Sequence, residues 1–237
     1  MDRNLSWFKY ICNINRFEVS DENLTKLEKY VQLLLAWNSR INLISRKDEN
    51  NIWIRHILGS IAFLFHAQTA PRSKIVDVGT GGGLPGIPLA ILFSDLHITL
   101  LDSIQKKMNA VDDIIKQLQL NNVNVVCGRA EELSNKKEFY RTYDYVVCRA
   151  VAPAKDIVRW CRNFLRNENG NNSNAEHTGK KWINKGSIIL LKGGNLEQET
   201  SEVRIKFTPR SVESFNIIVN GVTEDELSEK KILIVKP

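Results

Sequence analysis

The chain has 237 residues, 43% apolar and 25% charged, a composition that excludes collagen-like, fully disordered and disulfide-scaffold proteins. No apolar run approaches the ~18 residues of a membrane span, and Met1-Asp2-Arg3-Asn4 lacks the apolar stretch of a secretory signal, so a cytoplasmic protein is expected. Lys and Arg exceed Asp and Glu by 33 to 27, with a surplus concentrated in residues 141–192, which fits either a phosphate-rich partner or a solvated basic face.

Ser20, followed by Asp21 and Glu22 and by Leu24, Leu27, Val31, Leu34 and Leu35 at helical spacing, predicts a capped amphipathic helix over 20–37. A second helical stretch is expected over 51–66, and the polar connector between the two carries Arg40, Asn42, Arg46 and Lys47. From Lys74 the period changes. Strands are predicted at Lys74–Val78, His97–Leu101, Val123–Cys127, Tyr143–Cys148 and Ser187–Leu191, alternating with helices near 86–93, 104–119, 154–165 and 195–202. That alternation means βαβ units and a parallel sheet. Ser211–Val219 and Lys231–Val235, joined by a short acidic turn, break it and predict an antiparallel hairpin at the sheet edge. The expected fold is therefore α/β and Rossmann-like, with the seven-stranded, mostly parallel sheet of class I methyltransferases. The chain divides into an N-terminal helical extension over 1–70 and an α/β domain over 71–237. The Asn-rich stretch 167–185 reads as a mobile surface loop. Cys12, Cys127, Cys148 and Cys161 form no Cys-x-x-Cys pair, so reduced, mostly buried thiols are expected, with neither zinc nor disulfides.

The strongest local signal is Asp77-Val78-Gly79-Thr80-Gly81-Gly82-Gly83-Leu84-Pro85-Gly86, where a strand ends in an acid and runs into a glycine cluster before the next helix. Such a backbone approaches a ligand closely, and the helix start offers N–H groups. The run also satisfies the dinucleotide fingerprint. Asp77 favours another ligand: a carboxylate there repels a pyrophosphate but suits the ammonium of S-adenosylmethionine. Asp102 ends the next strand and has two readings, a partner for ribose hydroxyls and a cap for the helix from Ile104. Gly128-Arg129-Ala130-Glu131-Glu132 follows the third strand and is either an adenine contact or a first-turn acidic cluster. Arg149, at the carboxyl end of the fourth strand, fits a ligand carboxylate, an RNA phosphate or a salt bridge to Asp77. Lys192 lies on the same rim, and Lys155, Arg159, Arg162 and Arg166 form a stripe that reads first as a solvated face.

These motifs, with Trp37-Asn38, Ile41-Asn42-Leu43-Ile44, Arg55-His56-Ile57-Leu58, Gly86-Ile87-Pro88-Leu89, Leu101-Asp102-Ser103, Arg129-Ala130-Glu131-Glu132, Cys148-Arg149-Ala150-Val151-Ala152 and Leu191-Lys192-Gly193, make the chain resemble the glucose-inhibited division protein B group, the ribosomal RNA small subunit methyltransferase G family. The resemblance covers nearly the whole chain. It implies methyl transfer from S-adenosylmethionine to N7 of one guanine in 16S ribosomal RNA of the small ribosomal subunit. The cofactor contacts it implies are Gly79, Leu84, Ala130, Glu131 and Arg149, with Asp102 the ribose partner, beside Asp77 and Gly81 from the loop itself. Arg40, Arg46, Arg55, His56 and Lys192 are the RNA-binding candidates, His56 having the second reading of a satisfied interfacial histidine. Three features depart from the family pattern: Gly59 stands where Asp is usual, Ala130 replaces a common Val, and 167–185 is lengthened. A monomer without metal is expected. The rivals are a ribosome-binding assembly factor with an idle methyl-donor pocket and a nicotinamide-dependent oxidoreductase.

Overall fold

The computed structural model describes residues 3–149, 151–167, 180–223, 227 and 230–237. The chain opens with α1 (Arg3–Ile14) and α2 (Asp21–Asn38). Ser20 caps α2 as predicted, its hydroxyl accepting the Asn23 N–H at 3.1 Å. The single helix expected over 51–66 does not form, and residues 46–65 fold into short segments. They form a 3-10 segment (Arg46–Asn51), a π turn (Trp53–Leu58), one α turn (Gly59–Ile61) and a second 3-10 segment (Ala62–Phe65). Trp53, Ile57, Leu58, Ile61, Phe63 and Leu64 are all buried there, so packing on every side, and not one amphipathic stripe, dictates the backbone path.

Beyond this segment come β1 (Ala67–Gln68), β2 (Lys74–Val78), α3 (Gly86–Leu92), β3 (His97–Asp102), α4 (Gln105–Leu118) and β4 (Val123–Cys127). They are followed by α5 (Ala130–Leu133), β5 (Tyr145–Arg149), α6 (Ala154–Cys161), β6 (Lys181–Trp182), β7 (Ser187–Gly193), α7 (Glu197–Phe207), β8 (Ser211–Asn216) and β9 (Lys230–Lys236). Seven strands pair in the order β4-β3-β2-β5-β7-β9-β8. The first five are parallel, and β9 runs antiparallel to both β7 and β8. This is the predicted Rossmann-like sheet with its terminal hairpin, in the class I methyltransferase arrangement.

Several boundaries differ from expectation. Tyr143 lies outside β5 and makes a single bridge to Leu165. The helix expected over 154–165 becomes 3-10 over Arg162–Phe164. Of the stretch read as a loop, residues 168–179 lie outside the described residues, whereas Lys181–Trp182 pairs in parallel with Ala67–Gln68 and Ile183 is buried. Paired backbone, invisible in so polar a sequence, ties this end of the stretch to the chain ahead of β2.

Both sheet faces are covered, which is why the strands read as nearly unbroken apolar runs. One face, carrying Ile75, Ile98, Tyr145, Val147, Ile189 and Ile232, shares a single core with α1 to α4 and the 46–65 segment. The other, carrying Val76, Leu101, Val146, Cys148, Leu190 and Leu233, packs under α5, α6 and α7. The N-terminal residues are thus built into the first layer. Tyr30 of α2 is fully buried, and its hydroxyl donates to the Gly82 carbonyl at 2.9 Å. Tyr30→Phe leaves that carbonyl without its donor, and urea unfolding is expected to show a loss of about 1–3 kcal/mol; unchanged stability would mean the contact contributes nothing.

Candidate functional site

The parallel strands deliver their carboxyl ends to one rim, where open α/β sheets bind ligands. At the tip of β2 the chain turns through Gly79, Gly81 and Gly83 at φ of 70°, 58° and 97°. Space is as tight as conformation at Gly79, where an added Cβ would lie 2.3 Å from Val151 Cγ2. At Gly86 an added Cβ would lie 2.1 Å from Leu100 Cδ2. At Gly81, by contrast, it would meet only the Leu43 carbonyl at 3.8 Å, which leaves a face of the turn clear.

Two carboxylates hold this turn. Asp77, fully buried, accepts the Thr80 hydroxyl at 2.6 Å and the Gly86 N–H at 2.8 Å through Oδ2. Its Oδ1 is buried with no hydrogen-bond partner among the described residues. Burial raises its pKa to about 6, against the lowering effect of the Thr80 and Gly86 hydrogen bonds and of the Arg149 charge. Asp102 accepts the Gly81 N–H and the Ile104 N–H, each at 3.0 Å. The N-cap of α4 is Ile104, with no side-chain cap bond, so the cap reading of Asp102 is not realised; Asp102 closes a local turn onto Ile104 instead, and each oxygen keeps a lone pair for a further donor. The start of α3 differs from expectation: Gly86 N–H is taken by Asp77 and Ile87 N–H by the Gly83 carbonyl at 2.7 Å, so these groups face inward and not toward a ligand.

The remaining predicted residues fall into distinct settings. Leu84 and Ala130 are buried, and Glu131 is exposed on α5 beside Arg129 at 3.7 Å. Arg149 makes no ion pair with Asp77; its guanidinium donates to His56 Nδ1 at 3.0 Å and to the Arg55 carbonyl at 3.3 Å. The π turn presents both acceptors. His56 is 8% exposed, with Nε2 3.4 Å from Asp48 Oδ2. Burial, then the Arg149 charge, lower its pKa from 6.5 to about 4 against the opposing pull of Asp48. His56 is therefore neutral at neutral pH, accepting from Arg149 at Nδ1, which removes it as a cation for RNA; the satisfied interfacial reading is met at that nitrogen only, since the buried Nε2 has no hydrogen-bond partner among the described residues. Lys192 is likewise turned inward: Nζ donates to the Ala152 carbonyl at 2.7 Å and pairs with Glu199 at 2.9 Å. An ion pair seven residues along the chain claims the charge that its rim position offered to a phosphate. Arg55 pairs with Asp48 at 3.1 Å while staying half exposed. Arg40 lies exposed over the Trp37 ring, and Arg46 is exposed.

The stripe expected on one helix runs past the end of α6, with Arg162 in the 3-10 turn and Arg166 beyond it, and is largely neutralised, Lys155 by Glu202, Arg159 by Asp156 and Arg166 by Asp144. Its solvated reading holds. Sequence reasoning passed over Ile104, which leaves β3 two residues after Asp102 and is 40% exposed. An apolar residue standing out of the rim next to a carboxylate is the signal that marks it. Cys127 is exposed and the other three cysteines are buried, all as free thiols. Among the described residues no helix is long and apolar enough to cross a membrane and no cluster of three or more metal-ligating side chains occurs.

The sheet order and the strand-tip carboxylates define a chain of the class I methyltransferase fold. A 16% identical O-methyltransferase from Bacillus cereus, solved with S-adenosylhomocysteine, matches over 98% of this chain and 97% of its own at a TM-score of 0.56. A fibrillarin/Nop5p complex chain, 10% identical, matches at a TM-score of 0.53 over 74% of this chain and 79% of its own. The family model for rRNA small subunit methyltransferase G matches residues 23–227. Proteins of that name are 37% identical in Phocaeicola vulgatus, covering 96% of this chain and 95% of the relative, and 33% identical in Chlorobaculum tepidum, covering both entirely. The chain belongs to the rRNA small subunit methyltransferase G family.

His56 supplies a pH prediction. Its pKa is depressed on folding, so its stabilisation is present above pH 6.5 and is lost as pH falls toward about 4. The raised pKa of Asp77 acts with the opposite sign, but equally in wild type and a His56→Gln variant. The melting temperature of the wild type should therefore fall more steeply between pH 7 and pH 5 than that of His56→Gln; parallel curves would rule out differential protonation.

Proposed function

We infer that this protein transfers a methyl group from S-adenosylmethionine to N7 of a specific guanine in 16S ribosomal RNA. The observation that carries this reading is the glycine turn pinned by Asp77 and Asp102 at the carboxyl rim, in a chain of a methyltransferase family. The residues fit the cofactor. Asp102 retains lone pairs for ribose hydroxyls, Ile104 offers an apolar surface for adenine, and the open face at Gly81 admits the ligand. Arg149 offers guanidinium donors beyond the two used on the π turn, suited to the cofactor's carboxylate. Asp77 acts behind the turn, shaping it; Gly79 and Leu84 form its near edge, and Ala130 and Glu131 border the adenine side.

S-adenosylmethionine supplies an electrophilic methyl on sulfur, which takes the bonding electrons as the methyl leaves. Guanine N7 attacks with a lone pair and carries no proton, so no side chain has to serve as a base. What this chain contributes is orientation of the two reactants in line. The antiparallel β9 between β7 and β8 departs from the strand order of dinucleotide-binding folds and weighs against the oxidoreductase alternative.

The test is incubation with labelled S-adenosylmethionine and small subunits lacking the modification, followed by nucleoside identification. Label in 7-methylguanosine at one site is the expected result. Label in another nucleoside would refute the guanine assignment, and no label despite binding of both reactants would favour the assembly-factor alternative. Asp102→Ala should weaken cofactor binding about tenfold or more, the worth of a charge-assisted hydrogen bond. Arg149→Ala should lose cofactor affinity, RNA affinity or both, and calorimetry showing neither change would remove it from the site.

A further inference from the structure

Lys230 opens β9, and because β9 runs antiparallel, the start of this strand lies beside Gly193 at the carboxyl end of β7. The hairpin thereby brings a lysine from the far end of the chain to the rim that carries Arg149. The side chain reaches across toward the π turn and the α turn after it. An ideal Cβ at Gly59 would stand 3.5 Å from its nearest neighbour, the Ile54 carbonyl, and 4.0 Å from Lys230 Cε. Gly59 lies in the right-handed helical region, at φ −60° and ψ −18°. The position accepts a side chain, and in this sequence it has none.

The surroundings of Lys230 are cationic. It is partly buried, its pKa is lowered first by that burial and then by the charges of Arg149 and Arg55, and Asp48 is the carboxylate that opposes them. Asp48 is already shared between Arg55 and His56. Among the described residues no carboxylate pairs with Lys230. Among the described residues, Arg55, Arg149 and Lys230 thus face Asp48, with the buried Asp77 acting on Arg149, a surplus of positive charge. An anion would relieve it.

We propose that Lys230, with Arg55 beside it, forms a phosphodiester-binding site for the RNA substrate, held open by the absent side chain at Gly59. The inference rests on the methyltransferase reading and extends it to a named contact. The anion belongs to the RNA and not to the cofactor's carboxylate because of where the strands lie. Arg149, assigned above to the cofactor's carboxylate, ends β5, and β9 is two strand spacings from β5, about 10 Å. A phosphate at Lys230 lies on the π-turn side of Arg149, beyond the turn, and fixes the register of the RNA chain next to the target base.

The test measures the affinity of the full-length protein for 16S ribosomal RNA as a function of salt, with S-adenosylhomocysteine affinity measured in parallel as the control for folding. Lys230→Ala should weaken RNA binding several-fold at low salt and reduce the slope of log affinity against log salt by about 1. Lys230→Arg should keep both. Gly59→Asp, which sets a carboxylate against Lys230 in an allowed conformation, should reproduce the Lys230→Ala loss with the lysine still present. Cofactor affinity should stay within about twofold in all three, since no cofactor contact changes. RNA affinity and slope unchanged in Lys230→Ala and Gly59→Asp would overturn this inference alone. A wild type that does not bind the RNA would overturn both it and the substrate assigned above, and loss of cofactor affinity equal to the loss for RNA would assign Lys230 to the fold.

Discussion

The site depends on two carboxylates that sit side by side at the tips of β2 and β3 and bind the backbone of one glycine turn. Asp77 holds Thr80 and Gly86 from behind, and Asp102 holds Gly81 from the rim. A glycine-rich turn left to itself would lose much backbone entropy on ordering. Charge-assisted hydrogen bonds to its N–H groups offset that loss and fix the turn in one shape before any ligand arrives. The fixing has a cost, because ionised Asp77 is wholly enclosed; its raised pKa records how incompletely two hydrogen bonds and a nearby arginine compensate for lost solvation. The carboxylate at Asp102 faces the rim, which frees it to serve the turn and a ligand together.

The N-terminal residues press on the same turn from the opposite side. Tyr30 holds the Gly82 carbonyl, and Leu34 and Leu43 lie against the Gly82 Cα. Asn38 orients the connector by accepting the Leu43 and Ile44 N–H groups at 2.8 Å and 2.9 Å, while the Trp37 indole donates to Asp113 on α4. The connector bearing Arg40, Arg46 and Lys47 is thereby seated next to the glycine turn. At the far side of the rim the π turn holds Arg149 through His56, and Asp48 completes the chain. Residues expected to face RNA and residues expected to face the cofactor thus meet at one guanidinium. A helix-terminal shift on one side would be felt on the other, which gives the N-terminal layer a physical reason to be built into the core.

The parts of this arrangement that were legible in the sequence are those that local rules govern. The Ser20 cap, the alternation of strand and helix, the strand-tip acids and the terminal hairpin all follow from spacing and turn chemistry. What was not legible depends on partners that only the tertiary fold supplies. His56 and Arg149 are 93 residues apart, and nothing near either foretells that the histidine is a buried acceptor. Lys192 looked available because its rim position was visible while the approach of Glu199 from α7 was not. The π turn over Trp53–Leu58 arises where apolar residues occupy every side and erase the helical stripe. Lys230 carried no motif at all; the antiparallel direction of β9 brought it to the rim.

The account stands on a turn that is already shaped for the methyl donor. A crystal structure with S-adenosylhomocysteine tests that claim most directly. It should show the ribose hydroxyls at Asp102 and the ligand across the Gly79–Gly81 face, with the Asp77 and Asp102 bonds to the turn intact. A ligand bound elsewhere, or a turn rebuilt with those carboxylate bonds broken, would contradict it.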